Sequence, residues 1–278
     1  MSDRLKVLSR QDLSQELEIA EDAAIVARPV STRDDLFIAL KLVHDCYVRR
    51  EYMHPREAGI RICPHYAVPG ARTWMLEVAD QPVATVSMFP DTPLGLPADA
   101  PYGRSLRGLR RRGQRLAEIG MLADRRTRLS RSMPGVMRMM PLILQAARDA
   151  EIDHLIITCH PRHEKFYKKL LGFEHLEGPR AHPSVLDAPS VLDGLDLTKA
   201  NLSQVRHKRL REMFAELQPP PNPGPPYEMT ADDAAWFYIH RSDTYYRLPN
   251  AWRKLIRRCH PKLDPADERE KSRAEGDS

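Results

Sequence analysis

The 278-residue chain predicts an α/β (α+β) domain with a mixed central sheet, helices on both faces and a C-terminal helical extension. Three observations lead there. Between residues 24 and 197, segments of strand character alternate with segments of helical period in the order β-α-β-β-β-α-β-α-β-β. Two β-type runs, 73–79 and 83–88, are separated only by Asp80-Gln81-Pro82, so the sheet holds a hairpin as well as crossovers. Finally, the run PPPNPGPP at 219–226 separates an aromatic helical segment from the rest, as an extended polyproline-type connector would.

The elements follow in order. Residues 1–23 are polar and acidic. Residues 24–30 form a short strand ending in Arg-Pro-Val. Ser31-Thr-Arg-Asp34 has the pattern of a capping box, and Leu36, Leu40, Val43 and Tyr47 then recur at helical spacing, which predicts a helix over 31–50. After the hairpin, residues 90–113 read as a long loop. Strands are predicted at 116–123, 155–159, 173–176 and 191–197, with helices at 133–150 and 163–171. The second of these strands follows a methionine-rich helix (Met133, Met137, Met139, Met140) in which Pro141 should make a break or kink. Those methionines can fill core or shape an apolar groove. The domain is thus 24–197. An extension over 198–262 adds a charged helix, the connector and a helix capped at Thr230-Ala-Asp-Asp233; residues 263–278 are polar and expected to be disordered.

Composition bounds the function. No apolar run approaches the roughly 18 residues that a membrane span needs, and the N-terminal stretch has no signal-peptide core. Cys46, Cys63, Cys159 and Cys259 stand singly with no metal spacing, as free thiols of a cytoplasmic protein, and no metal site is expected. The net charge of +5 conceals an asymmetry: between Arg104 and Arg138, eleven arginines face two acids, Glu118 and Asp124. Such a block suits an anionic partner, although a solvated arginine-rich loop explains it as well. Nucleic acid is not expected, because only Tyr102 lies in or beside the block to stack on a base.

Glu118 is an ionisable residue within the apolar run 116–123. Burial there would raise its pKa toward that of a general base working at neutral pH. A place on the solvated face of the strand satisfies the same pattern. His160 and His163 flank the start of a helix with nothing to pair them with a nucleophile, and read as surface caps.

The segment Cys159-His-Pro-Arg-His-Glu-Lys-Phe-Tyr-Lys-Lys-Leu-Leu-Gly-Phe173 resembles the strand–helix–strand signature of the GNAT acyltransferase superfamily. Asp91-Thr-Pro-Leu-Gly-Leu-Pro-Ala-Asp99, Arg107-Gly-Leu-Arg110 and Leu116-Ala-Glu-Ile-Gly-Met-Leu-Ala123 are similar to the long-chain N-acyl amino acid synthases, a GNAT branch related to the acyl-homoserine lactone synthases. The resemblance implies the GNAT fold and transfer of a fatty acyl group from acyl carrier protein to the amine of an amino acid or related small molecule. It makes Glu118 the general base and Tyr167 a general acid for the departing sulfur, although Tyr167 could equally pack beneath the sheet beside Phe166. Met121, Leu122 and Ala123 would hold the pantetheine arm through their amides.

Two departures refine this. CoA-using relatives follow the strand with a G-x-G-type nest for pyrophosphate. Here the place reads Arg125-Arg-Thr-Arg-Leu-Ser-Arg-Ser-Met-Pro-Gly135, with one glycine. An acyl-phosphopantetheine donor on a carrier protein needs no such nest, and its acidic protein would be drawn to Arg125, Arg126, Arg128 and Arg131. Lactone synthases place an arginine three residues after the strand acid, where this chain has Met121. A CoA-dependent N-acetyltransferase and a non-catalytic GNAT-like binding module remain the alternatives.

Overall fold

A computed structural model describes residues 24–126, 129–198, 226–266 and 268. The strands are β1 (Ile25–Pro29), β2 (Arg72–Val78), β3 (Gln81–Pro90), β4 (Leu116–Asp124), β5 (His154–Cys159), β6 (Glu174–His182) and β7 (Ala188–Asp196). They form one seven-stranded sheet in the order β1-β2-β3-β4-β5-β7-β6, antiparallel throughout except for the parallel pair β4–β5. Helices α1 (Arg33–Arg49), α2 (Asp99–Arg111), α3 (Leu129–Asp149) and α4 (Pro161–Leu171) connect them. The tail adds α5 (Ala231–Ala235), a π-helical turn (Trp236–His240), α6 (Thr244–Arg247) and α7 (Asn250–Cys259).

Strand alternation sorts the layers. Trp74, Leu76, Ala117, Ile119, Leu155 and Ile157 pack with Met137, Met139 and Met140 of α3 and with Leu171 and Phe173 on one face, the Met133 side chain lying outside what is described. The core use of Met137, Met139 and Met140 is thereby settled, and α3 runs on through Pro141 without ending there. On the other face, α2 packs through Tyr102, Leu106 and Leu109 on Leu116, Ile156 and Leu192. Beside it, α1 and the tail cover Met75 and Phe89. Phe237 and Tyr238 are completely buried in this layer, and the Tyr238 hydroxyl donates to the Cys63 carbonyl at 2.6 Å.

Several expectations need correction. The predicted loop at 90–113 contains α2, whose apolar face repays the prolines and glycines that argued against it. The cap of α1 is Thr32, whose hydroxyl accepts from the Asp35 amide, one residue beyond the box expected at Ser31. In contrast, Thr230 and Asp233 form the anticipated reciprocal box on α5. β6 extends to His182 rather than stopping at Leu176. The chain also remains packed beyond residue 262: Leu263 is buried, and the Tyr246 hydroxyl donates to the Pro265 carbonyl at 2.9 Å. The expected charged helix after residue 198 and connector residues 219–225 lie outside the described residues. Among the described residues, no helix is long and apolar enough to cross a membrane.

Candidate active site

The parallel pair β4–β5 is short. Leu116 to Ile119 pair with His154 to Ile157, after which the two strands part. On its other side β4 is bulged: Thr85 pairs with Ala123 but Ser87 with Gly120, so Met121 and Leu122 together oppose Val86. Met121 takes a left-handed conformation at φ 52°, a costly geometry for a side chain with a Cβ. The bulge and the parting strands leave the backbone of residues 120–123 facing a gap without β5 as a partner.

Glu118 stands at the closed end of this gap, on the α2 face. It is 2% exposed. The Ala98 amide donates to its Oε2 at 2.6 Å, and the Thr158 hydroxyl lies 3.4 Å from its Oε1. Burial pushes its pKa up to about 8, against the opposing pull of those two donors. The solvated-face alternative is therefore excluded by the packing.

The Ala98 donor is itself held by a clamp. Arg110 spans Asp91 (2.5 and 2.9 Å) and Asp99 (2.7 and 2.6 Å), and the Asp99 carboxylate accepts from the Leu96 amide at 2.7 Å. Gly95 completes the loop at φ 74°, where an added Cβ would lie 2.6 Å from Asp99 Oδ2. Only glycine fits there. The three segments Asp91–Asp99, Arg107–Arg110 and Leu116–Ala123 are thus one structural device that presents an N–H to the buried acid. Thr158, Ala98 and this clamp were not marked as site residues by sequence, although Asp91–Asp99 and Arg107–Arg110 were among the runs that carried the family resemblance.

Tyr167 lies behind the sheet on α4, partly buried between Phe166 and Phe173, with ring centroids 5.2 and 6.0 Å away. Burial raises its pKa above that of an ordinary phenol. Glu118 and Tyr167 do not touch; they flank the gap from opposite faces. Tyr47, at the end of α1, packs with Met121 against Val43, Cys46 and Ala123, beside the gap-lining end of β4. His160 caps α4, its Nδ1 accepting from the Arg162 amide at 3.2 Å.

The basic block is dispersed. Arg126 is 2.6 Å from Asp124, both side chains nearly buried, so its charge is already matched. Arg125 is partly buried and its carbonyl accepts from Arg49 at 3.1 Å. Arg128 and the side chain of Arg131 lie outside what is described. Arg115 pairs with Glu151 and Asp153. Arg104, Arg107 and Arg111 form an exposed ridge along α2. As to metals, Glu164, His175 and Asp193 each place one ligand atom within 4.8 Å of the others. His175 Nδ1 lies 3.0 Å from Glu164 and 3.5 Å from Asp193, a polar cluster shared by α4, β6 and β7.

A seven-stranded mixed sheet parted between β4 and β5, with a buried acid on the first of these strands, defines an N-acyltransferase of the GNAT fold. The family model of the N-acyl amino acid synthase FeeM matches residues 38–196, and the chain belongs to that family. The solved structure of FeeM, an N-acyl amino acid synthase from uncultured soil microbes, matches with a TM-score of 0.55 and 26% identity, over 64% of this chain and 93% of that one. BjaI, a CoA-dependent acyl-homoserine lactone synthase solved with SAM and isopentyl-CoA, matches with a TM-score of 0.50 and 13% identity, over 69% of this chain and 88% of that one, a likeness of fold. No curated protein matches the chain.

Proposed function

We propose that this N-acyltransferase moves a long-chain fatty acyl group from the phosphopantetheine of acyl carrier protein to the amine of an amino acid or a related small molecule. Glu118 carries the reading: a buried carboxyl with a raised pKa, beside a gap shaped for an extended arm, has the properties of a base for an ammonium substrate. Its carboxylate takes a proton from the ammonium, directly or through one water. The freed nitrogen lone pair attacks the thioester carbon, and the carbonyl electrons move onto oxygen. Amides of Met121, Leu122 and Ala123 would stabilise that oxyanion and hold the arm. Collapse re-forms the carbonyl and breaks the C–S bond; the departing thiolate takes a proton from Tyr167, or the one Glu118 gained, and the nitrogen, cationic after attack, gives its second proton to water, leaving a neutral amide.

Two features support a carrier protein over CoA. The sequence after β4 lacks the glycine pair of a pyrophosphate nest. The α2 ridge of Arg104, Arg107 and Arg111 offers exposed positive charge to an acidic protein, with Arg125 nearer the gap to meet the phosphodiester. Parallel assays with one long-chain acyl group on both carriers test this. A higher kcat/KM is expected for the carrier protein, falling markedly more steeply than the CoA reaction as salt rises to physiological strength. Equal or better use of acyl-CoA would return the donor assignment to CoA.

A further inference from the structure

Arginine side chains almost never become fully buried without a counter-charge. The clamp around Arg110, the Arg126–Asp124 pair and Arg28 between Asp35 and Glu77 all follow that rule. Arg61 breaks it. It lies in the segment between α1 and β2 and is 7% exposed. Its Nη2 donates to the Ser184 carbonyl at 2.6 Å, and its Nη1 lies 3.8 Å from Met53 Sδ. The guanidinium stacks over the Tyr47 ring, 4.8 Å from the centroid, and its Nε has no hydrogen-bond partner. Among the described residues no carboxylate lies within ion-pair distance of it. A guanidinium does not lose its proton in a protein, so the positive charge stays and is unmatched among the described residues.

Its position says which anion it suits. Tyr47, on which it stacks, packs with Met121 against the cluster of Val43, Cys46 and Ala123, at the gap-lining end of β4. Tyr66, five residues on, packs edge-on against Phe89 with ring centroids 4.9 Å apart, and Phe89 pairs with Glu118 across β3 and β4. The charge therefore sits beside the gap, on the face of the sheet that holds the acid. The donor's phosphodiester lies at the other end of the pantetheine arm from the thioester, and so is the poorer match. From this we infer that Arg61 is the residue that binds the carboxylate of the amino-acid acceptor. A carboxylate held by Arg61 fixes an α-amine one carbon away, on the side where Glu118 can take its proton. The inference rests on the acyl-transfer reading, but its test does not.

Calorimetry on the full chain would compare N-lauroyl amino acids with their primary amides, which differ only in the charge Arg61 would meet. Wild type should bind the acid about tenfold or more tighter than the amide, the usual worth of a charge-assisted bidentate contact. In Arg61→Met that preference should fall to near unity, with an unliganded Tm equal to or above wild type, because an apolar side chain replaces an unmatched buried charge. Arg61→Lys should keep part of the preference. Wild type binding acid and amide alike, or neither, overturns the assignment without recourse to any variant. A preference that survives in a folded Arg61→Met overturns it too. Turnover separates the two ideas: acyl transfer to amino acids and to carboxylate-free amines at equal kcat/KM leaves the acyltransferase intact and removes Arg61 from it. Acid-selective binding without any acyl transfer leaves Arg61 as a carboxylate site and removes the reaction.

Discussion

Glu118 shows how much one residue discloses through its neighbours in the chain. An acid in the run Leu-Ala-Glu-Ile-Gly-Met-Leu-Ala is conspicuous because the residues on both sides are apolar. Sequence could not decide which face it took; the packing of α2 did. Arg61 gave no such signal, since its lack of a carboxylate is a fact about distant segments meeting. With a pKa of about 8, roughly a tenth of Glu118 is ionised at pH 7. Wild-type kcat/KM should therefore climb close to tenfold per pH unit below 8 and then level off. Glu118→Gln should lower kcat at pH 7 by roughly 10²–10⁴-fold, with a deficit that narrows as solution deprotonates the amine. A folded variant keeping more than a third of wild-type kcat at pH 7 rules this base out. Stability moves the other way. A carboxyl whose pKa rises from 4.5 to about 8 on folding favours the fold while protonated. That contribution is whole below pH 4.5 and lost as pH rises through 8. The variant's Tm, insensitive to this titration, should gain a few degrees on wild type between pH 6 and pH 9.

At the scale of elements, the segment from Pro90 to Gly113 was the least legible. Pro97, Pro101, Gly103 and Gly108 each disfavour a helix, and the arginines were legible only as charge. What overrides propensity is the stripe of Tyr102, Leu106 and Leu109, buried against three strands, and the Tyr102 hydroxyl donating to the Ser190 carbonyl at 2.5 Å. The strand pair around the gap was easier, because the Phe-Tyr…Leu-Gly-Phe run fixes where α4 ends and β6 begins. Since Arg110 acts on Glu118 only through Asp99, Leu96 and Ala98, it is a positioning residue. Arg110→Met should loosen the Ala98 amide, a donor that favours the ionised acid. The expected signature is an upward shift of the kinetic pKa together with a drop in kcat, while KM for the donor stays near wild type. A lower kcat with an unchanged pH profile would make the clamp merely structural.

For the molecule as a whole, the tail belongs to the core. The aromatics from Trp236 to Tyr246 stood out in sequence, but not their partners on α1 and the sheet. Truncation after Gln218 removes the fully buried Phe237 and Tyr238, each worth about 3–5 kcal/mol on replacement by alanine. It should leave a poorly soluble protein that binds apolar dyes. Truncation after Glu268, which keeps the His240–Glu268 pair at 2.6 Å, should leave Tm within about 2 °C of wild type, given how little a chain end contributes. Equal solubility after both cuts would show that the tail contributes nothing to the fold of the domain.

The parting of β4 and β5 has a consequence for how the protein and its donor depend on each other. A sheet that stops pairing four residues into a strand has an unfinished interior seam, and water must occupy it when nothing else does. On the proposed mechanism the pantetheine arm, with its own amides, is what fills the seam. The donor is then a temporary piece of backbone as well as a reactant. The loaded enzyme would be the better-folded one, and release of the arm after transfer would return the sheet to its incomplete form.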